Sequence, residues 1–215
     1  MAFDIAAHLG AMTRSVRNLE KDGQPAKAVI ASCVYNTTPA DLWGALTQPE
    51  RLKRWFAPVT GDLQVGGRYH VEGNASGTVT GCVPEKSASL TWEFAGAVSW
   101  VNLTLMPDDA GTRLELEHIA PISPHWDNFG PGAVGVGWDL SFLGLSAHIA
   151  RPDADVRAEG LGAWATSDEA KVLIRTASSD WGRAAIAAGE DRDHALEAAE
   201  STRRFYTGEA PPPEM

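Results

Sequence analysis

The stretch GPGAVGVGWDLSFLGLSAHIA, residues 130–150, decides the fold. Val134, Trp138, Leu145 and Ile149 recur along it at helical spacing, and Arg151, Pro152 and Asp153 end the pattern, so it predicts one long helix. Gly130, Gly132 and Gly135 spell GxGxxG at its start, a pattern that cradles a dinucleotide pyrophosphate when it joins a strand to a helix. That use also needs a parallel strand after the helix with an acidic residue at its end, and no strand pattern follows here. The glycines are read instead as close-packing positions: without a Cβ, they let the helix start lie against the mouth of a sheet. Asp139, beside Trp138, is expected to point to solvent.

Upstream of this helix the chain is rich in strand signals. Between Gly61 and Ile119 six candidates, near 61–65, 67–73, 76–84, 88–95, 98–106 and 111–119, are separated by Gly, Pro and Asp turns, and their short connections predict an antiparallel meander. Leu90, Trp92 and Phe94, then Val101, Leu103 and Leu105, then Leu114, Leu116 and His118 alternate onto one face of their strands. A further strand, KAVIASCVYN at 27–36, precedes two short helices. Thr38, Pro39 and Asp41 form the start of the first, and Pro49 opens the second, which carries Leu52, Trp55 and Phe56.

The flanks read as additions. Phe3, Ile5, Leu9, Met12, Val16 and Leu19 predict an amphipathic helical arm within residues 1–26, ended by the polar break KDGQP. Residues 151–165 read as a linker. A helical extension, 166–207, opens with Thr166 and Glu169 as a capping box, is stopped once at Gly189 and resumes near Asp191; a flexible tail, 208–215, follows.

Composition narrows the function. A formal net charge of −10 on 215 residues repels phosphates and anionic headgroups, so neither nucleic acid nor membrane insertion is expected. Cys33 and Cys82 form no CxxC pair, and no secretory leader pattern opens the chain, so a reducing, cytoplasmic setting is expected. His118 and His125 have no metal-ligand spacing, no GxSxG elbow occurs, and no paired acids face inward, so the sequence carries no complete catalytic set and calls for no metal or cofactor.

The order strand, two helices, six strands and long helix resembles the helix-grip fold of the START-like (SRPBCC, Bet v 1-like) superfamily: α+β, a seven-stranded curved antiparallel sheet around a long C-terminal helix, here with the helical extension added. The segments TPADLWGALTQPERLKRWFAPV, LQVGGRYHVEG, LTWEF, GTRLELEHIA and FGPGAVGVGWDLSFL are similar to the branch named after the activator of the 90-kDa heat-shock chaperone's ATPase, over residues 27–150. The 26 residues before Lys27 are too few for the additional chaperone-binding domain of that branch's eukaryotic co-chaperone. Relatives in the superfamily hold lipids, sterols, polyketides or hormones between sheet and helix, and some are cyclases or aromatases. The resemblance therefore implies non-catalytic binding of a small, largely apolar ligand, lipid or polyketide-like. The alternatives are a polyketide cyclase or dehydratase using the same cavity, with His118 as acid or base, and an interaction protein that modulates a chaperone or another partner. A protein partner or a second copy would dock on the helical extension. Ligand-wall candidates are Trp55, Phe56, Tyr69, Trp92, His118 and Trp138, large aromatics and one ionisable group that the strand and helix patterns turn inward.

Overall fold

The computed structural model describes residues 4–209, without the side chains of Gly160 and Leu161. Phe3 of the expected arm and residues 210–215 of the expected tail lie outside the described residues. An eight-stranded sheet runs in the order β1-β2-β8-β7-β6-β5-β4-β3, with β1 Thr13–Lys21, β2 Gln24–Tyr35, β3 Val59–Gly61, β4 Arg68–Val71, β5 Ser76–Val83, β6 Ser87–Phe94, β7 Ala97–Asp108 and β8 Gly111–Pro121. The helices are α1 Ile5–Ala11, α2 Pro39–Thr47, α3 Pro49–Trp55, α4 Pro124–Phe129, α5 Gly132–Ala150, a short α6 Gly162–Trp164, α7 Asp168–Ala187 and α8 Arg192–Tyr206, with a π-helical turn at Arg157–Leu161 before α6.

Seven strands were expected and eight are present. The extra one is β1, because the helix predicted across residues 3–19 stops at Ala11, and Met12 is already extended. Asp22 and Gly23, at φ 52° and 76°, form a tight two-residue link between β1 and β2. Asp-Gly is among the strongest hairpin signals, and main-chain pairing with β2 overrides the helical spacing of Met12, Val16 and Leu19. Two local expectations change elsewhere. Ser167, not Thr166, caps α7 by accepting from the Ala170 amide, and Glu169 takes the Trp164 indole N–H instead of closing a capping box. Residues 151–165 contain the π-helical turn and bury Val156 and Trp164.

The chain forms two compact units that interleave the expected segments. The first comprises the described parts of Met1–Ala31, Ile119–Leu140 and Gly162–Met215; the second is Ser32–His118 with Ser141–Leu161. In the first, α7 and α8 pack on one another, and α7 also meets β1 and α1. Ala170, Leu173, Ala177, Trp181 and Ala185 of α7 are buried at helical spacing and form its inner face.

In the second unit the local rules are visible residue by residue. Thr38 accepts from the Asp41 amide at the start of α2, and Pro39 and Pro49 occupy the first turns of α2 and α3, where a missing N–H costs nothing. Strands β3 to β7 pair antiparallel with Tyr69 opposite Gly77, Val79 opposite Leu90, Leu90 opposite Val101 and Trp92 opposite Ser99; a bulge separates Val79 from Gly81. In β8 Thr112, Leu114, Leu116 and His118 are buried while Arg113, Glu115 and Glu117 between them are not, the period of two that the sequence shows.

Candidate functional site

The apolar heart of the second unit lies where β4, β5 and β6 meet the end of α3. Ala57, Tyr69 and Val71 form a buried cluster, and Phe56, Val59, Leu63, Val79, Leu90 and Trp92 pack against it while only half-buried. Gly77 makes the arrangement sterically accessible: a Cβ there would overlap the Thr91 carbonyl oxygen and come within 2.9 Å of Tyr69 Cε1. The ring of Tyr69 occupies that space, and its hydroxyl donates to the Thr91 carbonyl at 2.6 Å. Burial raises the Tyr69 phenol well above its usual range, so it stays protonated.

Five of the six wall candidates are connected in this unit. The ring of Trp55 meets that of Phe56 at 5.5 Å, Phe56 joins Tyr69 and Trp92 around the cluster, and Trp92 meets His118 edge-on at 6.3 Å. Their accessibility differs. Trp55 and Tyr69 are buried with polar atoms engaged by backbone carbonyls, Ala45 in the case of the Trp55 indole N–H, whereas Phe56 and Trp92 keep part of their surface open. Trp138 belongs to the first unit, where it is half-buried.

The tautomer of His118 follows from its neighbours. Ser99 Oγ donates its single proton to the Trp92 carbonyl at 3.0 Å, so the 2.9 Å contact between His118 Nε2 and Ser99 Oγ has the imidazole as donor. Burial depresses the His118 pKa to about 4, which leaves the ring neutral with its proton on Nε2.

A second polar group, not singled out from the sequence, ties α2, α3 and α5 together within this unit. Arg51 donates through Nη1 to the Asp41 carboxylate at 2.8 Å and carbonyl at 2.9 Å, and through Nε to His148 Nε2 at 3.1 Å. Thr37 Oγ donates to the other Asp41 oxygen at 2.7 Å. His148 is completely buried; desolvation, with Arg51 and Arg54 nearby, holds its pKa below the ordinary value. The legible signal was an ionisable residue inside an otherwise apolar helix.

The first unit corrects two expectations. Asp139 does not face water: it is 0% exposed, Arg14 Nε reaches both its oxygens at 3.1 and 3.2 Å, and the Trp181 indole N–H donates to Oδ2 at 2.9 Å. Arg14 Nη1 extends the group to Asp180 at 3.0 Å. Burial raises the Asp139 pKa to about 6 against the pull of Arg14 and Trp181, so the carboxylate is ionised at neutral pH. The glycines of α5 do pack closely, but in the first unit their neighbours are the helical extension. A Cβ would meet Ala198 from Gly130 at 3.3 Å, Thr202 from Gly132 at 2.8 Å and Tyr206 Oη from Gly137 at 3.1 Å, and would overlap the Trp181 ring from Gly135. Thr202 Oγ also donates to the Phe129 carbonyl just ahead of the helix. The start of α5 is thus occupied by side chains where a phosphate would sit. By length and composition α5 could cross a membrane, with a mean hydropathy of 1.2. Yet Asp139 and His148 are both buried in protein and hydrogen-bonded there, as in the core helix of a folded domain.

An α+β chain with a long helix following an antiparallel meander of this order is a helix-grip protein. A family model described as activator of Hsp90 ATPase homolog 1-like protein matches residues 36–150, and the chain belongs to that family. The activator of 90 kDa heat shock protein ATPase homolog 1 of Homo sapiens is 33% identical over 89 residues, and that of Mus musculus 30% over 89 residues. These alignments take in 39% of this chain and 26% of either relative, so the match spans about a quarter of those proteins. Among solved structures, the crystal structure of CalU16 from Micromonospora echinospora is 31% identical with a TM-score of 0.59, covering 72% of this chain and 96% of that one. Its solution structure reaches a TM-score of 0.67 at 25% identity, covering 83% and 97%.

Proposed function

We propose that this protein is a cytoplasmic, non-catalytic carrier of a small, largely apolar molecule, lipid or polyketide-like, held in the second unit against Phe56 and Trp92, with Trp55, Tyr69 and His118 behind them. One observation carries the reading: the inward apolar residues of β5 and β6 are incompletely covered. No residue of β6 is fully buried, and Val79, Leu90, Trp92 and Phe56 surround a buried cluster while keeping accessible surface of their own. Covering such surface with a ligand yields about 25 cal/mol per Å². His118 favours binding over chemistry, because its Nε2 proton is directed at Ser99 and its depressed pKa makes it a poor base at neutral pH.

Titrating the protein with medium-chain lipids and aromatic polyketides while following tryptophan fluorescence tests this. Saturable binding in the micromolar range or tighter, weakened at least tenfold by Trp92→Ala, is expected; a flat response across the panel contradicts it. A second reading, action on a chaperone, draws support from the names of the human and mouse relatives. On that reading the full chain accelerates ATP hydrolysis by a 90-kDa heat-shock protein, whereas a pure carrier leaves the rate unchanged.

A further inference from the structure

Among the described residues, Arg14 Nη2, Arg51 Nη2, His148 Nδ1 and Ser178 Oγ are buried polar atoms without a hydrogen-bond partner. Buried polar groups are normally satisfied, and two of these four belong to one directly bonded pair, Arg51 and His148. Arg51 Nε donates to His148 Nε2, so Nε2 is an acceptor and the proton of the neutral ring resides on Nδ1. The unpartnered Nδ1 is therefore a donor. In a guanidinium, Nε and Nη2 share one edge of the planar fork, so the unpartnered Nη2 lies on the edge turned to His148, while Nη1 is occupied by Asp41. The two nitrogens of an imidazole point to opposite sides of the ring, so the free Nδ1–H faces away from Arg51; Arg51 fixes the tautomer, and His148 Nδ1–H is the sealed, unpartnered donor.

We propose that His148 is the polar anchor of the ligand site: held by Arg51 with its proton on Nδ1, it donates to a neutral oxygen acceptor, a ketone or ester carbonyl or a hydroxyl, on an otherwise apolar molecule. The proposal rests on the carrier reading above and names the polar end of its ligand. Charge decides between a neutral and an anionic group. Asp41 already neutralises Arg51 through a 2.8 Å ion pair, and His148 is uncharged, so a carboxylate placed here would be a buried charge without a counter-ion. Place agrees with this. Arg51 stands four residues before Trp55 on α3, hence on the same helix face about 6 Å away, and the Trp55 ring meets that of the half-buried Phe56 at a tilt.

The test compares 2-decanone, decane and decanoate, three probes of equal chain length, by equilibrium dialysis at neutral pH. The wild-type protein is expected to bind the ketone about tenfold tighter than either of the others, the worth of about one net hydrogen bond. His148→Phe is expected to bring ketone and alkane within about twofold of each other while the alkane affinity holds, because only the polar anchor is lost. Equal binding of ketone and alkane to the wild type, or tighter binding of decanoate, overturns the anchor and leaves the carrier reading standing. No binding of any probe overturns both. Should His148→Phe fail to fold, the His148 imidazole of the wild type is read directly by 15N–1H correlation: its Nδ1 proton must shift when 2-decanone saturates the protein, and an unmoved signal refutes the anchor.

Discussion

Helix α5 carries two buried ionisable residues, and the units they serve treat them differently. Asp139, in the first unit, has both oxygens matched by Arg14 and one also by the Trp181 indole, on a stretch whose glycines leave no room for a side chain. His148, in the second, accepts from Arg51 and has a donor that meets nothing, in a unit whose apolar face is half-covered. Unpartnered donors occur in both units, Arg14 Nη2 and Ser178 Oγ in the first and Arg51 Nη2 and His148 Nδ1 in the second, so it is the tight packing around Asp139 that marks the part that holds the fold. Open polar capacity beside open apolar surface is where the proposed ligand would sit.

The sharpest way to break this contrast is to remove each residue in turn. Asp139→Ala takes from the buried Arg14 the carboxylate that meets its Nε, leaving only Asp180, and is expected to lower unfolding free energy by about 3–5 kcal/mol in urea titrations, whereas His148→Phe, which leaves Arg51 Nε without its acceptor, is expected to cost about 1–2 kcal/mol. Comparable losses would erase the distinction. Acid comes next in size. The folded pKa of His118 is depressed to about 4 from 6.5, so the unfolded chain binds more protons between those values; the stability this group contributes is complete above about pH 6.5 and is lost as pH falls toward 4. The shift corresponds to about 3 kcal/mol, and His118→Phe should flatten that part of the stability–pH curve. His8, also depressed to about 4 by burial, adds to the slope, while Asp139, raised to about 6, opposes it, so the difference between wild type and variant is the quantity to measure. A smaller effect separates the glycines. Gly135→Ala forces a methyl into the Trp181 ring and is expected to cost about 1–3 kcal/mol, while Gly137→Ala, whose methyl meets only Tyr206 Oη at 3.1 Å, should cost less. A reversed order in thermal unfolding would show that α5 does not pack as described.

Local chemistry was legible in the sequence, and long-range pairing was not. The caps at Thr38, Pro39 and Pro49, the alternation of Leu114, Leu116 and His118, and the link from Trp55 to Phe56 all lie within short windows. Asp139 looked like a solvent residue because Arg14 is 125 positions away, and the Arg51–His148 pair spans 97. The α5 glycines announced a close approach without naming the helical extension that makes it, and β1 was missed because a hairpin turn two residues long outweighs three well-spaced apolar side chains. Of the wall candidates, Trp55, Tyr69 and His118 are buried, but the pattern carried no information on which rings stay open, since that depends on what covers β5 and β6.

The central claim is that the half-covered face of the second unit holds a small apolar molecule. Native mass spectrometry of the full chain, purified gently from the cells that produce it, tests this most directly. A bound mass of a few hundred daltons that leaves on denaturation and is absent from Trp92→Ala is expected. An unliganded spectrum for the wild type, with no mass added on incubation with lipids and polyketides, would contradict it.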